Sequence, residues 1–168
     1  SECVKVLRDE LPYNLHIFVN SVEFIAKVID TLKLAPEAVK IVCSTSGDSR
    51  QENQRKLGNA YPIGQPSDPA KKVNFYTSTC FEGCDIFDPD GVTFIVSDGR
   101  KAHTLLDIST LFTQICGRIR DSRYKTQIVH VYSTTKYSKA VTLDEFVAAT
   151  QRTLADAEKF ASDINAVD

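Results

Sequence analysis

The sequence predicts an open α/β layer built on a mostly parallel sheet with a helix at its C-terminal end. Short apolar runs alternate with helical stretches along the chain and no internal repeat interrupts them. The runs are nearly continuous rather than alternating, as expected of strands buried on both faces. A capping box near the end announces a last amphipathic helix.

Taken in order, residues 15–19 are a first strand, and Asn20 or Ser21 can cap the helix after it. That helix turns Val22, Ile25, Ala26, Ile29 and Leu32 to one face, and Pro36 closes the region. Residues 39–43 are a second strand leading into a polar turn. A polar helix over residues 50–57 is closed by Gly58, and residues 58–70, rich in glycine and proline, form an irregular loop. Residues 73–77 and 92–96 are the third and fourth strands. A helix over residues 111–120, capped from Asp107 or Ser109, comes next, then a fifth strand at 126–132. Thr142 and Glu145 frame the capping box of the last helix, whose stripe is Leu143, Phe146, Val147, Leu154, Ala157, Ala161 and Ile164. In such sheets ligands sit at the carboxyl ends of strands, so Asn20, Ser44, Thr77, Gly83, Asp85 and Ser97 are expected to share one edge.

Composition narrows the function classes. A chain of 168 residues with ordinary apolar content is one domain with a proper core. Its net charge of −2 argues against indiscriminate nucleic-acid binding. The charge is uneven: from Val141 onward six acids face two cations, so that tail carries −4 and the body +2. No apolar run approaches the ~20 residues of a membrane span, and no secretory leader is expected. The absence of Met, even at position 1, is expected of an excised fragment. Cys3, Cys43, Cys80, Cys84 and Cys116 form no disulfide framework and are expected as reduced, buried thiols of a cytoplasmic protein. Cys80 and Cys84 have no second pair, so no metal site is expected. The pairs Asp9-Glu10 and Asp144-Glu145 lack a phosphate loop before them and are not expected to hold magnesium. His16 and His130 sit in apolar strands and are expected in the core; His103 lies in a loop.

Chemistry concentrates between residues 111 and 120. Read as a helix, this stretch puts Gln114 and Arg118 on one face, with Gly117 leaving the backbone bare between them. Arg118 and Arg120 have no acid in the previous turn, and a guanidinium fork matches phosphate oxygens. The plain alternative is a surface helix with solvated arginines.

Two segments tip that balance. Thr77 followed by Gly83-x-Asp85 resembles the fifth motif of superfamily-two helicases, and Gln114-x-x-Gly117-Arg118 resembles their sixth. Residues 17–21 are similar to the strand and cap that open the second helicase lobe. Gly47-Asp48 with Arg55 resembles a pattern many members carry. The likeness covers residues 15–133. Arg120 stands two places after Arg118, with Asp121 in the usual position of the second arginine, a variant similar to origin-binding-protein-like helicases. Cys84 replaces the usual apolar residue. None of the seven glycines begins a phosphate-binding loop, which belongs to the first lobe.

The resemblance implies a three-layer RecA-like (P-loop NTPase-like) lobe over residues 1–140. It implies that residues 141–168 are an acidic helix, packed on the lobe or linking to a further domain. It implies ATP, with Mg²⁺ held mainly by an N-terminal lobe of the same parent chain. Arg118 first and Arg120 second would stabilise the transferred phosphoryl group, and Gln114 would orient water or sense the phosphate. Asp85 would accept a ribose hydroxyl, with Gly83 and Gly117 keeping the approach open. Asn20, Ser44, Thr45, Arg55 and Thr77 would hold single-stranded DNA or RNA by its phosphates. For Asn20 and Ser44 the alternative is plain capping, and for Asp85 a turn residue. The implied function is the second motor lobe of an ATP-dependent helicase or translocase, inactive alone. The alternative is a helicase-like non-catalytic binding or regulatory module.

Overall fold

The computed structural model describes residues 2–106, 108–133 and 142–165. In chain order its elements are α1 (Glu2–Leu7), β1 (Asn14–Phe18), α2 (Val22–Leu32), β2 (Val39–Val42), α3 (Ser49–Leu57), β3 (Val73–Tyr76), β4 (Gly91–Asp98), α4 (Thr113–Cys116), β5 (Ile128–Ser133) and α5 (Leu143–Asn165). The strands form one all-parallel sheet in the order β2-β3-β1-β4-β5. The α/β class with a parallel sheet is therefore as expected. Ser21 caps α2, its Oγ accepting from Phe24 N at 3.2 Å, and Gly58 closes α3 with φ 81°.

Strand alternation sorts the side chains onto two faces. Leu15, Ile17, Val39, Ile41, Val73, Phe75, Val92 and Phe94 share one core with Val6 of α1, Ile25 and Ile29 of α2 and Leu57 of α3. Phe18, Val42, Tyr76 and Ile95 build the other, closed by Cys80, Phe81, Ile86, Ile115 and Ile119. Among the described residues of 2–133, no long helix covers this second face. It is covered by a 3-10 turn (Ser78–Cys80), an irregular return segment and the short α4.

Two expectations are corrected here. His130 is not in the core: β5 is the sheet edge, its side chains beyond Ile128 are exposed, and the His130 ring is exposed with them. Its Nε2 lies 3.1 Å from Ser97 Oγ and its ring packs edge-on to Phe112. An apolar run does not tell an edge strand from a central one. The expected helix over 111–120 is also shorter and irregular. A π-helical turn (Ile108–Phe112) leads into α4, which Gly117 ends. Arg118, Ile119 and Arg120 lie beyond it, because their backbone pairs elsewhere. Ile86 N donates to Arg118 O at 2.9 Å and Arg120 N donates to Ile86 O at 3.0 Å, a parallel bridge between Ile86 and Ile119. Of the two expected caps, Asp107 lies outside the described residues, as does the side chain of Ser109.

A buried polar group pins the same segment from below. His16 is fully buried; its Nε2 lies 2.8 Å from Asp88 Oδ2 and its Nδ1 3.0 Å from Tyr76 Oη. Asn14 Nδ2 and Asp90 N also donate to the Asp88 carboxylate, and Asp88 N donates to Asp121 Oδ1. Gly91 is needed for this approach, since a Cβ there would stand 2.9 Å from the His16 ring. Burial opposes the ionised Asp88, but the hydrogen bonds from His16, Asn14 and Asp90 outweigh it and hold the carboxyl below its ordinary value.

Residues 134–168 form a separate unit. Its helix α5 carries the expected capping box, with Thr142 N donating to Glu145 Oε2 at 2.8 Å and Glu145 N to Thr142 Oγ1 at 3.3 Å. The expected boundary at 140/141 falls outside the described residues, as do Asp168 and the side chains of Ala157, Ala161 and Ile164. No helix among the described residues is long and apolar enough to cross a membrane.

Because the folded Asp88 carboxyl is depressed, its contribution to stability is complete above the unfolded value of about 3.9 and is lost as pH falls through the lower folded value. Asp88→Asn is therefore expected to be less stable than wild type at neutral pH, with the gap closing as pH falls below about 4. Urea melts of both proteins across that range check this. A gap independent of pH would mean that the Asp88 charge contributes nothing.

Candidate functional site

A parallel sheet releases every strand at the same end, so the loops after β2, β3, β1 and β4 stand in that spatial order along one edge. Ser44 and Thr45 follow β2, Thr77 follows β3 and Asn20 follows β1, while Ser97 is the penultimate residue of β4. Asn20 ties the row together: its Nδ2 donates to His103 O at 2.8 Å and its Oδ1 accepts from Ser78 N at 3.4 Å. His103 is exposed and enters through its carbonyl, not its ring. Ser44 Oγ lies 3.0 Å from Ser46 Oγ, and Ser44 O accepts from Asn53 Nδ2. Thr45 is exposed in the same turn. Arg55 is set apart, exposed on α3 in a shallow groove with Asp48, Gln51 and Glu52.

Thr77 is placed differently from what a direct contact requires. Its side chain is 4% exposed, and its Oγ1 lies 3.4 Å from Thr79 Oγ1. The hydroxyls that reach solvent beside it belong to Ser78 and Thr79. The strand pattern ends at Thr77 in the sequence, and no local signal says which of the next hydroxyls faces outward.

The chain then turns back over the second face of the sheet, so Gly83 and Asp85 leave the edge that Thr77 occupies. Gly83 has φ 75° with open space where a Cβ would be. Backbone handedness is therefore what demands glycine there. Gly117, with φ −93°, needs no such freedom, but its position is exposed and clear, with only Gln114 O at 3.6 Å from an added Cβ.

The bridge between Ile86 and Ile119 brings the two chemistry-bearing stretches side by side. Asp85 Oδ1 accepts from Arg120 Nε at 2.7 Å, with both side chains about half exposed. Arg120 is thus not the unneutralised cation expected from its own stretch; its acid comes from 35 positions away. Arg118 Nε donates to Gln114 O at 2.9 Å and its Nη1 to Cys84 O at 3.3 Å. These are carbonyl partners, and no carboxylate pairs with Arg118 among the described residues. The Gln114 side chain is exposed on α4 next to them.

Two further groups at this place escaped the sequence reading. Lys40 is buried on β2, where its Nζ donates to Pro66 O at 2.9 Å and to Asp68 O. Burial lowers its pKa. Its signal was visible, a charge inside an apolar strand, but its partners were not. Phe87 is 69% exposed and, with Lys40, Pro66, Asp68 and Asp85, lines a small polar pocket of about 110 Å³. A more open groove of about 410 Å³ lies elsewhere, between α2 and residues 98–101.

No protein-family model, curated protein or solved structure matches this chain significantly.

The two members of the junction differ in what they contribute. An exposed ion pair is worth about 0–1 kcal/mol, whereas a buried isoleucine truncated to alanine costs about 2–5 kcal/mol. Arg120→Ala is expected to shift the denaturation free energy by less than ~1 kcal/mol, and Ile119→Ala by several times as much. Chemical denaturation of the two variants decides. A large loss in Arg120→Ala would make the pair a structural clamp.

Proposed function

We propose that this chain is the second motor lobe of an ATP-dependent helicase or translocase, with a RecA-like three-layer fold. It would work only against a first lobe that supplies the phosphate loop and most of the Mg²⁺ coordination. One observation supports this above the others. The stretches that resemble the fifth and sixth motifs are joined by the Ile86–Ile119 bridge, so Asp85, Gln114, Gly117, Arg118 and Arg120 meet in one place.

The donor set suits a nucleotide polyphosphate held between two lobes. Arg118 would leave two carbonyls, one of these bonds being exposed, to face charge developing on the transferred group. An arginine so placed can supply ~10³–10⁵ in rate, or about 4 kcal/mol and more. Arg120 and Asp85 form an exposed pair weak enough to open. Asp85 could then accept a ribose hydroxyl while Arg120 turns to the phosphates. Gln114 is free to orient water. At the strand-end edge, Asn20, Ser44, Thr45, Ser78 and Thr79 offer neutral donors to a sugar–phosphate backbone without reading bases. Thr77 would shape that edge from beneath, and Arg55 would reach the strand only farther along.

A second reading, a helicase-like binding or regulatory module without turnover, is favoured by the turned-back Arg118 and the occupied Arg120. The 168-residue chain alone is expected to show no ATP turnover under either reading. In the protein that carries both lobes, Arg118→Ala is expected to abolish turnover while nucleotide affinity stays close to wild type. Steady-state hydrolysis and nucleotide titration measure the two. Turnover within a few-fold of wild type would remove Arg118 from the chemistry, and no turnover in the wild-type two-lobe protein would leave the binding module.

A further inference from the structure

We propose that Cys80 and Cys84 are a reversible redox pair, which hydrogen peroxide or a related small peroxide converts into an intramolecular disulfide. Their Sγ atoms lie 3.2 Å apart, both as free thiols. A disulfide bond is ~2.05 Å long, so the two sulfurs need approach by only ~1.2 Å from that 3.2 Å separation. The backbone between them includes Gly83, in a left-handed conformation with open space around it, which can absorb the adjustment.

The two thiols are placed unequally. Cys80 is fully buried at the end of the 3-10 turn, while Cys84 is partly exposed and its thiol points at Thr79 O, 3.7 Å away. The exposed thiol is the one a peroxide meets first. The Cys84 thiolate attacks one peroxide oxygen, the O–O bond breaks, and a sulfenic acid and one water form. The Cys80 sulfur then attacks the sulfenic sulfur, the S–O bond breaks, and the second water leaves with the Cys80 proton. Two thiols are oxidised and one peroxide is reduced. Burial and the neighbouring Cys84 hold the Cys80 proton on, against the pull of Lys40 and Arg118. The second step accordingly quickens as pH rises.

Other uses of the pair fit less well. Among the described residues, no group of three or more His, Cys, Asp or Glu is placed to hold a metal ion. Cys43 is buried with its thiol pushed up to about 11, and Cys3 is likewise buried and raised. The disulfide would close a small ring in the segment that joins Thr77 to Asp85. Its chemistry stands independently of the motor function; that closing the ring would uncouple the strand-end edge from the ATP side rests on that function.

The experiment uses the 168-residue protein, treated with hydrogen peroxide at neutral and mildly alkaline pH, alkylated, digested and mapped by mass. The expected product has lost two hydrogens, is linked only between Cys80 and Cys84, forms faster at the higher pH, and returns to five alkylatable thiols after dithiothreitol. Cys84→Ser, a change at a partly exposed position, should leave no intramolecular link. Five alkylated thiols after peroxide, a link through another cysteine, a dimer, or a Cys84 sulfinic acid without any link would each overturn the proposal. None of these results depends on ATP turnover.

Discussion

The contact on which the second half of this molecule depends is the parallel bridge between Ile86 and Ile119. One face of the sheet is closed by α1, α2 and α3, whose backbone groups away from the helix ends are satisfied within the helices. The other face is closed by irregular chain, which has no such internal solution. The bridge supplies the missing partners for Ile86 and for the carbonyl and amide that flank Ile119, and it buries both isoleucines. Beneath it, the hydrogen bonds of His16 and Asn14 with Asp88, with Tyr76 Oη holding the other nitrogen of the His16 ring, fix where the return segment meets the sheet. The arrangement of charged side chains above follows from this framework.

Those charges are held lightly, and that is their most telling property. Arg118 rests on carbonyls, and Arg120 on one exposed carboxylate. Each hold is worth at most a few kilocalories and is open to solvent on one side, which fixes a conformation without trapping it. By contrast Lys40, buried and bound to two carbonyls, is spent on holding the loop of residues 66–70. Three cations within one region thus have different availabilities, and only burial and partner chemistry tell them apart.

Much of this was legible in the sequence, and the exceptions share a cause. The strands β1 to β4, the caps at Ser21 and Thr142 and the stop at Gly58 are written in local composition, because their determinants lie within a few residues. The early end of α4 is only partly local: Gly117 marks it, but Ile86 also takes the backbone of Arg118 and Arg120, which no helical propensity reports. The Asp85–Arg120 pair and the turning inward of Thr77 are invisible for the same reason. His130 was misplaced because a strand's rank in the sheet is decided by what pairs beside it. Juxtaposition of the two motif-like stretches could be expected only from resemblance, not from any periodicity.

The strand order also constrains how the chain can assemble. β1 is the first strand in sequence and the middle of the sheet, yet both its neighbours come much later: Leu15 pairs with Val73 on one side and Val92 on the other. No hairpin seeds this centre, so its formation must wait for long loop closures, which makes for slow folding. While the chain is being synthesised, the apolar strand at residues 14–18 emerges with nothing to pair with until β3 has followed it. Until then it is the segment most in need of shelter from wrong partners.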